Sequence, residues 1–342
     1  MLFRSGAEAD CVTDNLTGLM WVRDNYSSIP GYSQFSDAFR NWQNMLNTAE
    51  SSNFCGHTDW RLPNVNEYVS LMNQSVYNNL NNWLYTQWNT TSLISQYYWT
   101  STALYSRPDD DLPAMAELYY PYNSINQDFS TDAGAYPLFL LVRDTPAIPN
   151  AVGKLPKTGQ TESSPINPAW NYSDGYYRKG VAWPSPRFLN GTGAQESCVI
   201  DKLTGLMWPK DITQVPTHKT TTWESALTAA HNLNYCGYTD WRLPNVNEIR
   251  SLINYGAPML QGSFPNTTHN GYVDWLSANG FTDFKNDEVY WTSSTYTDDT
   301  EEAIDFDFVN GMWNELLKVP EEEEEAYEYY VLPVRNGVRP PV

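Results

Sequence analysis

Apolar positions recur at helical spacing in two short stretches of the first half of the chain. Phe35, Ala38, Phe39, Trp42, Met45, Leu46 and Ala49 stand three and four residues apart, which predicts an amphipathic helix with Ser36 as a candidate cap. Val65, Tyr68, Leu71 and Met72 predict a second helix behind Asn64, with Glu67 at the third position of a capping box. The second half repeats both patterns. Trp223, Ala226, Leu227 and Ala230 follow Thr221 and Glu224; then Ile249, Leu252 and Ile253 follow Asn245 and Glu248, with Gly256 as the stop. Elsewhere the period falls to two. Ile304–Phe308 alternates inside and outside, and Asn310-Gly311 marks a hairpin turn before Met312-Trp313. Tyr97–Thr102, Tyr136–Arg143, Tyr290–Ser294 and Tyr329–Arg335 read as further strands. Two helices followed by several short antiparallel strands, given twice, predict an α+β fold.

The likeness of the halves extends to whole blocks. Cys11-Val-Thr-Asp-Asn-Leu-Thr-Gly-Leu-Met-Trp21 returns as Cys198-Val-Ile-Asp-Lys-Leu-Thr-Gly-Leu-Met-Trp208. Phe54-Cys-Gly-His-Thr-Asp-Trp-Arg-Leu-Pro-Asn-Val-Asn-Glu67 returns from Tyr235 to Glu248 with two changes, at Phe54 and His57. Tyr98-Trp-Thr-Ser-Thr102 matches Tyr290-Trp-Thr-Ser-Ser294, and Val142-Arg143 matches Val334-Arg335. Offsets of 187, 181 and 192 residues keep the blocks in order while the segments between them vary. So long a period means tandem domains, because a solenoid repeats every 20–50 residues or so. The expected domains are residues 1–145 and 187–342, joined by an extended linker over 146–186. Seven prolines fall between Thr145 and Pro186.

Charge narrows the partners. Forty acidic against 20 basic residues give −20, which argues against nucleic acid, since phosphate binding needs a basic footprint. The copies carry −9 and −13 and the linker +2, so the linker either lies against acidic surfaces or is a solvated tether. Aromatic residues at 15% argue against disorder. No apolar run approaches the roughly 18–20 residues of a membrane helix, so no span is expected. The first ten residues lack the apolar middle of a signal peptide, and none is expected in this chain.

Each copy holds one cysteine pair bracketing its first helix. Disulfides Cys11–Cys55 and Cys198–Cys236 are expected, each contributing roughly 3–4 kcal/mol on the chain-entropy model. They imply an oxidising compartment, hence export to the cell surface or beyond. Zinc fits poorly, because the spacing is wrong and no His accompanies the pairs. Asp59, Trp60 and Arg61, with Asp240, Trp241 and Arg242, read as architecture: Asp59 and Arg61, or Asp240 and Arg242, bridge beside a buried indole. Only His57 of the four His lies in a repeat block, and Tyr238 replaces it in the second copy. No nucleophile elbow, phosphate loop or metalloprotease helix appears, so no enzyme is expected. Asp109–Asp111, Asp298 with Asp299, Asp305 with Asp307, and Glu321–Glu325 are candidate calcium ligands or, by default, a solvated acidic face. Trp83, Trp88 and Tyr97, in a stretch rich in Asn and aromatics, either stack sugars or cover their own core. Sequons begin at Asn89 and Asn266.

These blocks together resemble the Lcl C-terminal domain family, named after a collagen-like adhesin of Legionella. The resemblance covers both copies and leaves out the linker. It implies an exported bacterial surface protein with two tandem C-type-lectin-like domains and a role in adhesion, and it brings no catalytic residues. Sulfated polysaccharides are associated with the family, but a strongly acidic surface opposes anionic glycans. Two functions follow as expectations. The first is a structural or adhesive subunit forming homo-oligomers or a filament; the second is an adhesin for neutral glycans, aided by calcium. A cysteine-oxidising enzyme would need reactive thiols, which two disulfides would remove.

Overall fold

The structure is a computed structural model that describes residues 2–3, 10–23, 42–72, 87–88, 97–104, 114–119, 124–126, 139–145, 154–161, 171–257, 271–285, 288–296, 299–308, 311, 313–320 and 327–337. The chain forms two compact units, Met1–Ala182 and Trp183–Val342. Both are α+β, with few helices and mainly antiparallel sheets.

In chain order the first unit contains β1 (Leu2–Phe3), β2 (Cys11–Thr13), β3 (Leu19–Val22), α1 (Trp42–Glu50), α2 (Val65–Val69), β4 (Tyr97–Leu104), β5 (Ala114–Tyr119), β6 (Ser124–Asn126), β7 (Val142–Asp144) and α3 (Asp174–Tyr177). One sheet has the order β1-β2-β3-β7, and the other is β4-β5-β6. The turn from β2 to β3 explains the first repeat block. Asp14 accepts hydrogen bonds from the Leu16 amide (2.9 Å) and the Thr17 hydroxyl (2.7 Å), an Asx turn that Gly18 closes at φ 77°. All of β3 is buried, so Leu-Met-Trp-Val reads as a continuous apolar run. Trp42, Met45, Leu46 and Ala49 form the buried face of α1 and pack with Met20, Trp60, Leu62, Trp99 and Leu141. Each large side chain so buried contributes roughly 1.5–3 kcal/mol. The Trp42 indole N–H donates to the Thr100 carbonyl at 2.7 Å, tying the helix to β4.

The second unit contains β8 (Phe188–Asn190), β9 (Cys198–Asp201), β10 (Leu206–Pro209), β11 (Lys219–Thr220), α4 (Trp223–His231), α5 (Val246–Arg250), α6 (Gly271–Ala278), β12 (Val289–Thr295), β13 (Glu302–Asp307), β14 (Glu315–Leu317), β15 (Tyr329–Tyr330) and β16 (Arg335–Asn336). Its first sheet, β8-β9-β10-β16, repeats the first unit's order, with Val199 opposite Trp208 as Val12 is opposite Trp21. The second sheet is β11-β15-β12-β13-β14, where β12 and β15 pair in parallel. Asp201 repeats the Asx turn with Leu203 and Thr204, and the Trp223 indole repeats the tie by donating to the Thr292 carbonyl.

Several local expectations shift. The cap of α4 is Thr222, not Thr221, because its hydroxyl accepts the Ser225 amide hydrogen bond. Helices α2 and α5 stop after five residues, at Ser70 and Ser251; Gly256 is not the stop. Each of those serines turns its hydroxyl back onto the Glu67 or Glu248 carbonyl. Helix α6 exceeds the expected pair of helices in the second copy. Strand β13 does not alternate, since Ala303, Ile304, Asp305 and Phe306 are all buried between layers. Phe35–Phe39, Ser36, Asn310 and Met312 lie outside the described residues.

The segment expected as an extended linker belongs in large part to the first unit. Residues 154–161 and 171–182 lie across it as a strap, with Tyr172 against the core. The compact units divide at Ala182 and Trp183.

Candidate functional site

The densest recurring chemistry sits where the Cys-Gly-x-Thr-Asp-Trp-Arg-Leu-Pro-Asn block enters the short helices α2 and α5. Cys55 and Gly56 occupy the centre of a two-residue turn between Phe54 and His57, both with positive φ (52° and 76°). Cys236 and Gly237 repeat it at 51° and 78°. Such a mirror-image turn is where glycine is the unstrained choice. Each turn is anchored by a disulfide: Cys11–Cys55 spans 44 residues and Cys198–Cys236 spans 38. Among the described residues no cysteine is free. The buried indole of Trp60 then locks the turn, donating to the Phe54 and His57 carbonyls at 3.1 and 3.0 Å; Trp241 donates to Tyr235 at 3.1 Å.

The charged residues of the block pair differently from the sequence expectation. Asp59 does not bridge to Arg61, nor Asp240 to Arg242. Asp59 takes a two-pronged bond from Arg143 on β7 (2.6 and 3.1 Å), and Asp240 takes one from Arg335 on β16 (2.6 and 3.0 Å). Those hydrogen bonds hold both carboxyls below the ordinary Asp range. The Arg335 guanidinium also lies 3.6 Å from the centre of the Tyr238 ring. Arg61 and Arg242 turn instead to the capping-box glutamates. Arg61 meets both oxygens of Glu67 at 2.6 Å, and Arg242 meets Glu248 at 2.6 and 2.7 Å. The physical reason is the cap itself. Each Glu already reaches back to the N-cap amide of Asn64 or Asn245 (2.9 Å), so its carboxylate is fixed where the Arg fork meets it. Arg143 and Arg335 carried a sequence signal, the repeated Val-Arg pair, whose partner only the fold supplies.

The strap completes this node in the first unit. Asp174, at the start of α3, accepts from the hydroxyls of Thr102 (3.1 Å) and Thr158 (2.5 Å), and burial pushes its carboxyl from the ordinary 3.8 up to about 6. Lys179 pairs with Asp144, and Arg61 stands 3.6 Å from that same Asp144. Strap and body leave a cleft of about 590 Å³ bordered by Glu67, Asp144 and Lys154. Both of its carboxylates are already engaged by Arg61 and Lys179. Asp174 occurs in neither copy of the repeat, so no repetition pointed to it.

The other candidate residues do not converge. Trp88 is fully buried against Trp21, which corrects its reading as a sugar platform: its ring is core. Trp83, the side chain of Tyr97 and Asp298 lie outside the described residues. Asp299 is exposed and accepts the Glu301 amide. Asp305 is only 4% exposed, bonded to the Asn314 amide at 3.2 Å, and burial lifts its carboxyl to about 7. Asp307 is half-buried. Among the described residues no three His, Cys, Asp or Glu side chains gather in a metal-binding group, and no helix is long and apolar enough to cross a membrane.

Comparison with known proteins agrees with the duplication. The profile of the Lcl C-terminal domain matches residues 10–137 and again 197–335. No curated protein matches the chain. Each matched stretch holds one disulfide, one Asp-Trp-Arg node and one capped short helix. The chain belongs to the Lcl C-terminal domain family, of which it carries two copies.

Proposed function

We propose that this is an exported, non-enzymatic structural or adhesive protein whose two C-type-lectin-like domains act through their outer surfaces and assemble into a polymer. One observation carries the reading: the repeated polar residues are spent on scaffold. Asp59, Arg61, Glu67 and Arg143 satisfy one another, as do Asp240, Arg242, Glu248 and Arg335, and the sulfurs are joined in pairs. A reaction centre would need a nucleophile or base free to meet a substrate. The bridged cysteines support an oxidising, extracellular setting. Heterologous contacts between unlike copies propagate as an open chain of subunits, which suits tandem domains. Electron microscopy and sedimentation of the purified protein across salt and calcium provide the test. Filaments or a lattice are expected; monodisperse monomers under every condition would overturn the proposal.

A further inference from the structure

The two units hold the same residues under different cover. In the first, Arg61, Asn64, Glu67 and Thr102 are buried beneath the strap. The Asn66 amide donates to the Pro156 carbonyl at 3.0 Å, and the Gln160 side chain bonds the Ala103 backbone. Asp174 sits on the Thr102 hydroxyl, Lys179 pairs with Asp144, and the Tyr177 hydroxyl donates to Glu50. In the second unit the counterparts lie open. Arg242, Asn245 and Asn247 are exposed, and Glu248, Ser294 and Thr295 are half-buried. The side chains of the Arg–Glu pair show the contrast in numbers: 5% and 5% exposed in the first unit, 44% and 19% in the second.

The local geometry beneath is nonetheless preserved. The Ser294 hydroxyl oxygen accepts the Val246 amide at 3.1 Å, as Thr102 accepts that of Val65 at 2.9 Å. In the first unit the Thr102 hydroxyl proton goes to Asp174; among the described residues no carboxylate occupies that place on Ser294. Asn247 offers its oxygen to Arg250 (2.6 Å), which leaves its NH2 group to donate outward, as Asn66 does to Pro156. Charge differs in an informative direction. Arg61 faces Glu67, Asp144 and the nearby charge of Asp174. Beside Arg242 the position of Asp144 is taken by Asn336, so among the described residues Glu248 is the carboxylate that acts on it. The face thus sets Arg242 against the one carboxylate of Glu248, where Arg61 meets three, within a domain whose net charge is −13.

We propose that this face, built by Arg242, Asn245, Asn247, Glu248 and Ser294, is where a second copy of the chain docks, laying down an extended carboxylate-bearing segment as the strap does on the first unit. Charge complementarity and the self-association proposed above fix the occupant: a molecule of net charge −20 brings abundant carboxylates to a guanidinium with two fewer acidic neighbours than Arg61 has. The register is defined by a backbone carbonyl that accepts from the Asn247 NH2 group and a carboxylate that accepts from the Ser294 hydroxyl and the Arg242 guanidinium.

The test is sedimentation of the full chain over a concentration series, with circular dichroism to confirm folding. R242E and S294A are expected to weaken association by about tenfold or more, and K318E, which makes the same charge change outside the face, to weaken it only by the added long-range repulsion, which salt screens. Unaltered association of R242E and S294A would overturn this docking site while leaving self-assembly standing. A wild-type chain that never associates would overturn both. A second measurement uses unmutated protein. A labelled peptide of residues 154–179 is expected to bind and to compete with self-association, and its D174N form, though more basic, to bind about fivefold or more weakly. Absent binding, or equal binding of the two peptides, would overturn the docking chemistry.

Discussion

Arg61–Glu67 and Arg242–Glu248 are one ion pair in two surroundings, and surroundings decide what each contributes. R61M would leave Glu67 buried and uncompensated, at an expected cost of about 3–5 kcal/mol to the first unit. R242M leaves a partly solvated carboxylate and should cost at most about 1 kcal/mol. Urea denaturation of both variants measures the difference, and equal costs would refute it. Asp174 supplies a second residue-level prediction. Its carboxyl rises from 3.8 to about 6 on folding, so the folded state holds the proton more tightly than the unfolded chain. The stability this confers is full below about pH 4 and is lost as pH climbs through 6, by about 3 kcal/mol at most. Asp59 and Asp240, held low by Arg143 and Arg335, act in the opposite sense, losing stability as pH falls through their lowered values. D174N isolates the effect. In the wild type, amide protection over 171–182, corrected for intrinsic exchange, should fall from pH 5 to pH 7; in D174N that fall should vanish.

At the scale of elements, the disulfides and the short helices fix each node. Closing loops of 44 and 38 residues should contribute about 4 kcal/mol each. Reduction, or the double variant C198S/C236S, should lower the unfolding free energy of the affected unit by that amount in urea denaturation. A loss under about 1 kcal/mol would mean that the packed indoles of Trp60 and Trp241 hold the turn unaided. The parts legible in the sequence were those whose cause is local or repeated. The Asn64–Glu67 cap spans three residues, the helical face of Trp42 to Ala49 spans two turns, and the cysteine pairs recur at matched places. What stayed hidden depends on distant partners. Nothing near Asp59 announces that Arg143, 84 residues on, will take it from Arg61. The strap occurs once and is proline-rich, so it looks like a tether until Asp174 and Gln160 are seen on β4. Trp88 shares its composition with a binding surface, and only its contact with Trp21 shows it to be core.

For the whole molecule, long-range repulsion and short-range docking pull in opposite directions. A net charge of −20 on each whole chain sets a barrier to association that extends over a Debye length, about 10 Å at 0.1 M salt and about 30 Å at 0.01 M. The proposed docking contacts involve a few charges within hydrogen-bond distance, where screening is weaker. Raising salt from about 10 mM to about 150 mM should therefore strengthen self-association, because it removes more repulsion than attraction. Lowering the pH toward the sequence pI near 4.4 should act the same way by discharging carboxylates. The two levers separate in the R242E chain. That variant gains negative charge and loses the local cation, so salt should recover only the part of its association that repulsion had suppressed. Sedimentation at matched ionic strengths reads both slopes. If wild-type association weakens steadily with salt, contact ion pairs dominate and the molecule's overall charge is not what limits assembly.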